Sequence, residues 1–399
     1  MNHIEVKNLY KIFGHHATKA LKMSREGMTK EDILKKTGNT IGVNEASFEV
    51  KKGETFVVMG LSGSGKSTLI RMLNRLIEPT SGQIKVNGDD IVQMNKEQLR
   101  HLRRKQMGMV FQNFGLLPHR NVVKNVYYGL EIQGVDEATR RKKAYEALEL
   151  VGLKGYEESR PDELSGGMKQ RVGLARALVS DPDILLMDEA FSALDPLIKK
   201  NMQDELINLQ MKMHKTIIFI THDLDEALKL GDRIAVMYNG KIVQIGTPEE
   251  ILTNPANDYV RAFVENVDRS KVIKAESIMK KPRAVVESKD GPKAALRKMD
   301  QEEISSIFVT DSEGILKGII TADDAKELVD EGKRSIKQII KNVKYKTGPD
   351  TTIAELLPMA TKAQYPIAVV DNFDHLLGVV VRVSVIAGIR GKKEGEANA

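Results

Sequence analysis

Two kinds of apolar pattern run along the chain. Residues 4–10 and 47–51 alternate between apolar and polar positions, which is the period of a half-buried β-strand. Residues 56–59, 184–187 and 216–220 are short, uninterrupted apolar runs, as expected of parallel strands that are covered on both faces. Because strands alternate with helical segments after a β-rich start, the pattern predicts an α/β core.

Turn and cap signals indicate where several elements begin and end. The Asn-Gly pairs at 87–88 and 239–240 predict hairpin turns. Thr29 is followed three residues later by an acidic residue, which predicts a helix start inside a polar, lysine-rich stretch. A second helix over residues 67–77 is expected to end before Pro79.

The last part of the chain repeats itself. Asp311 matches Asp371 and Gly318 matches Gly378 at one constant spacing. Two copies are too few for a solenoid, so we expect a pair of small αβ modules that pack on each other. The predicted divisions are a first domain over 1–268, modules over 276–335 and 336–391, and a disordered polar tail over 392–399.

Composition excludes several classes of protein and leaves others open. The 399 residues are 41% hydrophobic and 29% charged, which is ordinary for a folded soluble protein. The absence of cysteine excludes disulfides and thiolate metal sites. Since no run of about 20 apolar residues occurs, no bilayer span is expected. The net charge of +6 is compatible with an anionic partner, but a well-solvated surface explains it as well.

A phosphate-binding loop lies between the buried strand at 56–59 and the helix that follows it. Its glycines let backbone N–H groups turn toward phosphates, and Lys66 supplies a cation to the β- and γ-phosphate oxygens. The hydroxyl of Ser67 is placed to bind Mg²⁺. The loop is Gly60-Leu61-Ser62-Gly63-Ser64-Gly65-Lys66-Ser67. This motif predicts a nucleoside triphosphatase without deciding which class.

Two acidic residues follow the apolar run at 184–187. Asp188 is expected at the carboxyl edge of the sheet beside the phosphate loop, where it can hold the Mg²⁺ shell. Glu189 can polarise a water molecule for attack on the γ-phosphate. An acidic pair after a strand is commonly a polar turn, but its combination with the phosphate loop favours the catalytic interpretation.

Further segments, in the same order along the chain, resemble those of the ABC (ATP-binding cassette) ATPase family. The resemblance implies that Gln112 senses Mg²⁺ and that the switch histidine His222 contacts the γ-phosphate. It implies that Phe13 stacks on adenine and that Thr68 completes the nucleotide-binding set. It also implies a signature at Ser165, Gly166, Gly167 and Met168, and a dimer-contact loop at Ser192, Ala193, Leu194 and Asp195.

The resemblance implies a fold and a mechanism. The fold is a phosphate-loop ABC ATPase core with a β-subdomain, a mostly parallel RecA-like sheet and a helical subdomain, followed by an α+β tandem CBS module. In this family two cassettes face each other head to tail, so a second copy supplies the signature to each ATP and a monomer is nearly inactive. Met168 departs from the usual glutamine, and we expect activity to survive that change.

Several segments resemble the quaternary-amine importers that take up glycine betaine or proline betaine. That resemblance implies Mg²⁺-dependent ATP hydrolysis at the cytoplasmic face of a membrane, beside separate permease subunits that carry a substrate-binding domain. The alternative within the same class is an importer of another small solute, such as an amino acid. A second class is a soluble ABC ATPase that acts on nucleic acids or ribosomes. A third is a mainly regulatory nucleotide sensor. No nucleic acid is expected. The segments are the insertion before Gly42 and residues 74–82, 164–168, 188–198 and 254–270.

The repeated modules resemble CBS domains, which often bind adenosine nucleotides. Gly318, Thr321 and Asp324 fit the family's nucleotide pattern, whereas the second module has Val381 and Ser384 at the matching places. The resemblance suggests regulation by cyclic di-AMP, or by ionic strength through basic residues on anionic lipid. A solvated basic surface on a structural module is the alternative interpretation. The basic residues are Lys280, Lys281, Arg283, Lys333, Arg334, Lys337, Lys341, Lys344 and Lys346.

Overall fold

The computed structural model describes residues 2–265, 267–283, 285–287 and 289–390. The chain divides into two compact units, 1–265 and 266–399. The tail predicted over 392–399 lies outside the described residues. Within the described ranges, no helix is both long enough and apolar enough to cross a bilayer.

The first unit alternates strands and helices after a β-rich start. Its strands are β1 (Asn2–Phe13), β2 (Thr40–Lys51), β3 (Thr55–Met59), β4 (Ser81–Val86), β5 (Asp89–Asp90), β6 (Met107–Val110), β7 (Ile184–Asp188), β8 (Thr216–Thr221), β9 (Arg233–Tyr238) and β10 (Lys241–Gly246). Its helices are α1 (Ala17–Arg25), α2 (Lys30–Thr37), α3 (Lys66–Leu73), α4 (Lys96–Lys105), α5 (Val122–Ile132), α6 (Glu137–Leu150), α7 (Gly166–Leu178), α8 (Pro196–Met213), α9 (Leu224–Leu230), α10 (Pro248–Thr253) and α11 (Asp258–Val264).

Two sheets share one core in this unit. An antiparallel sheet has the order β2-β1-β4-β5, and a six-stranded sheet has the order β10-β9-β3-β8-β7-β6. The second sheet is parallel except for β10. Phe48 of the first sheet stacks on Phe56 of the second, with ring centroids 5.1 Å apart. Every residue of β3, β7 and β8 is buried, which confirms the interpretation of their apolar runs.

A separate helical layer is formed by α5, α6 and α7, which pack on one another. Together with the two sheets it gives the predicted combination of β-subdomain, mostly parallel sheet and helical subdomain. The phosphate loop lies between β3 and α3, and the signature segment begins α7. The fold thus assigns the two candidate phosphate-binding segments to different layers of the unit.

The predicted turns and caps are confirmed, with two differences in length. The Asn-Gly turns have the positive φ angles of the expected hairpins. α3 ends at Leu73 instead of residue 77, because Arg75 is left-handed and its guanidinium donates to the carbonyls of Ile91 and Met94 at 2.8 and 2.7 Å. β5 has only two residues, since the Asp90 carboxylate accepts the N–H of Val92 in a turn.

The lysine-rich insertion is a packed helical pair. Thr29 caps α2 as predicted, accepting the N–H of Asp32 at 3.2 Å. α1 was not predicted, because His16 at its start makes no capping bond with its side chain. Ala20 and Ile33 are fully buried against residues of β1 and β2.

The second unit contains the same arrangement twice. The first copy has α12 (Ala275–Ile278), β11 (Val285–Glu287), α13 (Pro292–Gln301), β12 (Ser306–Thr310), β13 (Leu316–Thr321) and α14 (Ala322–Asp330). The second has β14 (Lys346–Thr347), α15 (Ile353–Lys362), β15 (Ile367–Val370), β16 (Leu376–Val380) and α16 (Arg382–Arg390). In each three-stranded sheet the first pair is parallel and the second antiparallel.

Each copy also contributes backbone to the other. Lys280 pairs with Val379 of β16, and Lys341 pairs with Ile319 of β13, through hydrogen bonds of 2.9 Å. A small apolar cluster contains Phe308 and Val370, one from each copy. The two copies therefore fold as one intertwined pair.

The insertion's core gives a stability prediction. We expect Ile33→Ala to lower the free energy of unfolding by about 2–5 kcal/mol, because it leaves a cavity at a fully buried position. The neighbouring Leu34 is 46% exposed, so Leu34→Ala is the matched control and should change stability by only about 0.5 kcal/mol. Urea unfolding followed by circular dichroism measures both. Equal effects would show that the insertion is not a packed part of the unit.

Candidate functional site

The phosphate loop surrounds a buried lysine ammonium. Lys66 is the first residue of α3, and its Nζ donates to the carbonyls of Gly60 and Leu61 at 2.8 and 3.0 Å. Burial lowers the pKa of Lys66, and the carboxylates of Glu189 and Asp188 offset part of that effect. The loop's own carbonyls thus hold the ammonium in place. It lies at the N-terminus of α3, where an anionic group such as a phosphate would be stabilised.

Two loop glycines are required by close contacts. Gly60 has φ +152°, and a Cβ there would lie 2.2 Å from the carbonyl oxygen of Met237. Gly65 has φ +104°, and its Cβ would lie 2.1 Å from the carbonyl oxygen of Gly42. A side chain at either position would therefore displace backbone, which explains why the loop needs glycine there.

The Asp188 carboxylate is fixed by two donors. Ser67 Oγ donates to Asp188 Oδ1 at 2.9 Å, and Arg71 Nη2 lies 3.2 Å from Asp188 Oδ2. Sequence analysis missed Arg71, although its position four residues after Ser67 places it on the same helix face. The Ser67 hydroxyl and the Asp188 carboxylate are the hard oxygen donors that Mg²⁺ prefers, so these two residues fit the predicted metal site. Among the described residues, no group of three or more histidine, aspartate or glutamate side chains that could hold a metal ion occurs.

Three of the predicted residues surround the Glu189 carboxylate. Its Oε1 lies 3.7 Å from Lys66 Nζ, and its Oε2 lies 3.1 Å from Gln112 Nε2 and 3.4 Å from His222 Nδ1. Glu189 has a left-handed backbone with φ +47°, which is uncommon outside glycine and clusters at functional sites. The fold thus brings residues from three other segments to the Glu189 carboxylate.

Phe13 lies beside the first turn of α3. The ring is 41% exposed at the end of β1. A Cβ on Gly42 would lie 2.7 Å from the Phe13 ring and 3.3 Å from the Thr68 methyl group, so the three residues are neighbours. The Lys11 ammonium lies 5.0 Å from the centroid of this partly exposed ring, next to the phosphate loop.

The signature residues lie apart from the Glu189 cluster. Ser165 caps α7, accepting the N–H of Met168 at 3.3 Å, and Gly166 is exposed at the first helical position. A Cβ on Gly167 would lie 2.5 Å from Ile198 Cγ2, so this glycine allows α7 to pack closely on α8. Ser165 and Gly166 are thus both exposed at the N-terminus of α7, the end of a helix that favours negative charge.

The predicted dimer-contact loop connects Glu189 to α8. Ser192 Oγ donates to the Glu189 carbonyl at 2.8 Å, and Asp195 caps α8 through the N–H of Ile198 at 3.1 Å. Ser192, Ala193 and Asp195 are exposed, and Leu194 is half-buried. The loop therefore joins Glu189 to α8, the helix against which Gly167 packs.

Arg176 holds the segment after Gln112. Its guanidinium donates to the carbonyls of Phe114 and Gly115, both of which have left-handed backbones. Burial lowers the pKa of Arg176. Sequence analysis missed this arginine, because a contact between residues this far apart leaves no local pattern.

The second unit places the predicted CBS residues together. Thr321 Oγ1 donates to Asp324 Oδ2 at 2.6 Å, and Lys341 Nζ forms an ion pair with the same oxygen. The hydrogen bond from Lys341 holds the pKa of Asp324 below its ordinary value. Gly318 lies against the backbone of Lys341, where a Cβ would approach the carbonyl oxygen to 2.5 Å.

A cleft of about 420 Å³ adjoins this cluster. Its lining includes Lys341, Lys344, Tyr345, Lys362 and Tyr365. Three of the basic residues considered above form ion pairs, which lowers the charge they offer to a membrane. These pairs are Lys333–Glu331, Lys341–Asp324 and Lys346–Asp374.

Family models match both units. The ABC transporter model matches residues 43–192, and the CBS domain model matches residues 275–331. The ATP-binding cassette MJ0796, in a dimeric post-hydrolysis state bound to ADP and Pi, superposes with a TM-score of 0.52 at 29% identity. That match covers 61% of this chain and 98% of the other.

Full-length relatives are transport proteins. The chain is 57% identical to the glycine betaine transport ATP-binding protein OpuAA of Bacillus subtilis (strain 168), over 98% of this chain and 93% of that protein. It is 54% identical to the glycine betaine/carnitine transport ATP-binding protein GbuA of Listeria monocytogenes serotype 1/2a (strain 10403S), over 98% and 99% of the two chains. It is 47% identical to the glycine betaine/proline betaine protein ProV of Escherichia coli (strain K12), over 99% of each chain.

The loop glycines give a prediction for the nucleotide-free protein. Gly65→Ala should destabilise the chain more than Gly63→Ala, because both positions have positive φ but only the Gly65 Cβ meets backbone. We expect about 1–2 kcal/mol for Gly63→Ala from backbone strain alone, and more for Gly65→Ala. Denaturant unfolding without nucleotide measures both. Equal losses would contradict the close approach of Gly42 to the loop.

Proposed function

The chain belongs to the ABC transporter ATP-binding proteins, and we propose that its ATP hydrolysis energises import of glycine betaine or a related quaternary amine through separate membrane subunits. The observation that carries this proposal is the identity with three betaine transport proteins along nearly the whole chain, C-terminal unit included. Carnitine and proline betaine, which the names of two of these relatives include, share the quaternary ammonium group with glycine betaine. A quaternary ammonium is therefore the chemical class of substrate.

The cluster around Glu189 supports a division of catalytic roles. Lys66 and the loop N–H groups bind the β- and γ-phosphates, while Ser67 and Asp188 hold Mg²⁺, which neutralises phosphate charge when bound. Glu189 accepts the proton of the attacking water. His222 contacts the γ-phosphate, and Gln112 reports occupancy of the site to the membrane subunits. Phe13 stacks on the adenine.

A second copy of the chain completes each site. Ser165 and Gly166 are exposed at the N-terminus of α7, outside the Glu189 cluster of their own chain. In a head-to-tail dimer these residues grip the γ-phosphate bound by the partner's phosphate loop. The dimer-contact loop then lies at the interface, which couples closure of the dimer to the Glu189 backbone.

Replacing Glu189 separates binding from chemistry. Glu189→Gln should lower ATP hydrolysis about 10²–10⁴-fold, because the general base is lost, while ATP binding persists. Glu31→Gln on the exposed face of α2 is the control and should leave hydrolysis unchanged. The assay uses proteoliposomes that contain the chain and its membrane subunits, with and without glycine betaine. Full activity of Glu189→Gln would refute the catalytic role, and stimulation by an amino acid but by no quaternary amine would refute the substrate class.

The C-terminal unit is proposed as a regulatory pair of CBS domains, the second over 336–391. Thr321 and Asp324 fit a ribose, and the lysines of the adjacent cleft fit phosphates, which supports cyclic di-AMP as the ligand. The remaining basic residues support a second input from anionic lipid at the cytoplasmic face of the membrane, worth about 1 kcal/mol per lysine and weakened by salt.

The two inputs can be separated in one experiment. Arg334→Gln with Lys337→Gln should flatten the salt dependence of transport in anionic proteoliposomes and leave the response to cyclic di-AMP intact. Asp324→Ala should do the reverse, because it removes the ribose acceptor. Each variant is the control for the other. Unchanged salt dependence in the first would refute the lipid input, and unchanged calorimetric binding of cyclic di-AMP in the second would refute the proposed ligand site.

A further inference from the structure

An aromatic cluster connects the last helix of the first unit to the end of β9. The rings of Tyr259 on α11 and Tyr238 on β9 have centroids 4.1 Å apart, and Phe263 meets Tyr259 edge-on at 5.1 Å. Contact with both aromatic rings restricts the Tyr259 ring. The position of its hydroxyl is therefore set by packing.

That hydroxyl contacts the phosphate loop. It accepts the backbone N–H of Leu61 at 3.4 Å, on the outer side of the loop where the Leu61 side chain is 55% exposed. Burial raises the pKa of Tyr259, so the hydroxyl stays neutral across the physiological range. This contact was not predicted from the sequence, because it joins segments far apart in the chain.

The Leu61 N–H belongs to the same peptide unit as the Gly60 carbonyl. Because a peptide unit is planar, the direction of its N–H fixes the direction of its C=O. The Gly60 carbonyl accepts Lys66 Nζ at 2.8 Å. One end of this peptide is thus held by Tyr259 and the other by the lysine ammonium.

This peptide needs an external support. Glycine at position 60 has no side chain to restrict its backbone, and a flexible flank lets the peptide plane rotate. Such a rotation would carry the Gly60 carbonyl away from Lys66 and leave a buried ammonium with fewer acceptors, which is unfavourable. The bond from Leu61 to Tyr259 opposes the rotation.

We propose that Tyr259 is a positioning residue for Lys66, which it holds at the phosphate loop by fixing the Gly60–Leu61 peptide plane. The inference rests on the proposed role of Lys66 in ATP binding. Tyr259 acts on the readiness of the loop to receive ATP and not on the reaction of bound ATP. Its loss should therefore weaken nucleotide binding and leave turnover at saturating ATP unchanged.

The test is Tyr259→Phe in the full chain, since phenylalanine keeps the ring stack and removes only the hydroxyl. Loss of one hydrogen bond predicts a KM for ATP and a calorimetric Kd for ATP raised about two- to tenfold, with kcat and Tm unchanged. Tyr145→Phe is the matched control. It removes a hydroxyl that also accepts a nitrogen at 3.4 Å, from Arg141 on the helical layer, and it should leave KM and Kd unchanged.

A double variant tests whether Tyr259 acts through the backbone N–H of Leu61. Leu61→Pro removes the N–H that Tyr259 accepts, so Tyr259→Phe should have no further effect on KM in that background. An equal increase in both backgrounds, an unchanged KM in the wild-type background, or a loss of Tm and kcat in place of KM would each overturn the proposal. Failure of the wild-type chain to bind ATP would refute the proposed function and, with it, the role of Tyr259. Normal ATP binding by the wild-type chain with an unchanged KM in Tyr259→Phe would refute only the role of Tyr259.

Discussion

The buried ammonium of Lys66 is the group on which the nucleotide site depends. A cation with 4% of its surface exposed is stable only if acceptors surround it. Two acceptors are carbonyls of the loop itself, and they can point inward only because Gly60 and Gly65 adopt backbones closed to other residues. Glu189, which follows β7 at the same edge of the sheet, adds an ion pair at 3.7 Å. The loop glycines and the Glu189 carboxylate thus serve one electrostatic requirement.

That requirement also explains how the site can respond to ATP. Glu189 forms an ion pair with Lys66, accepts a hydrogen bond from Gln112 and lies 3.4 Å from His222 Nδ1. A triphosphate offers the Lys66 and Gln112 donors several charged oxygens, which are stronger acceptors than one carboxylate. On the proposed roles, ATP binding transfers these donors to phosphate and frees Glu189 for water.

Sequence predicted those parts of the site that are local, and missed those that depend on distant contacts. The loop, Asp188 and Glu189 are each encoded by a few adjacent residues whose spacing carries the chemistry. Arg71 has a helical spacing from Ser67 that a closer analysis would detect. The contacts of Arg176 and Tyr259 have no such signal, because they join residues whose proximity arises only when the sheet and helices are assembled. Helix α1 escaped prediction for a different reason, since its stability comes from packing on β1 and β2 and not from its own caps.

The same logic applies to the intertwined C-terminal pair. Lys341 pairs with the backbone of Ile319 in the first copy's sheet, while its ammonium neutralises Asp324 beside the cleft. One residue of the second copy thus contributes both to the fold of the first copy and to the charge of its proposed ligand site. A ligand that offers a ribose to Asp324 and a phosphate to Lys341 would exchange one ion pair for two charge-assisted contacts. A ligand changes a conformation only if it binds one conformation more tightly than another. Ligand binding at Asp324 would therefore move the Lys341 backbone only if the ligand binds more tightly when Lys341 is paired differently with β13.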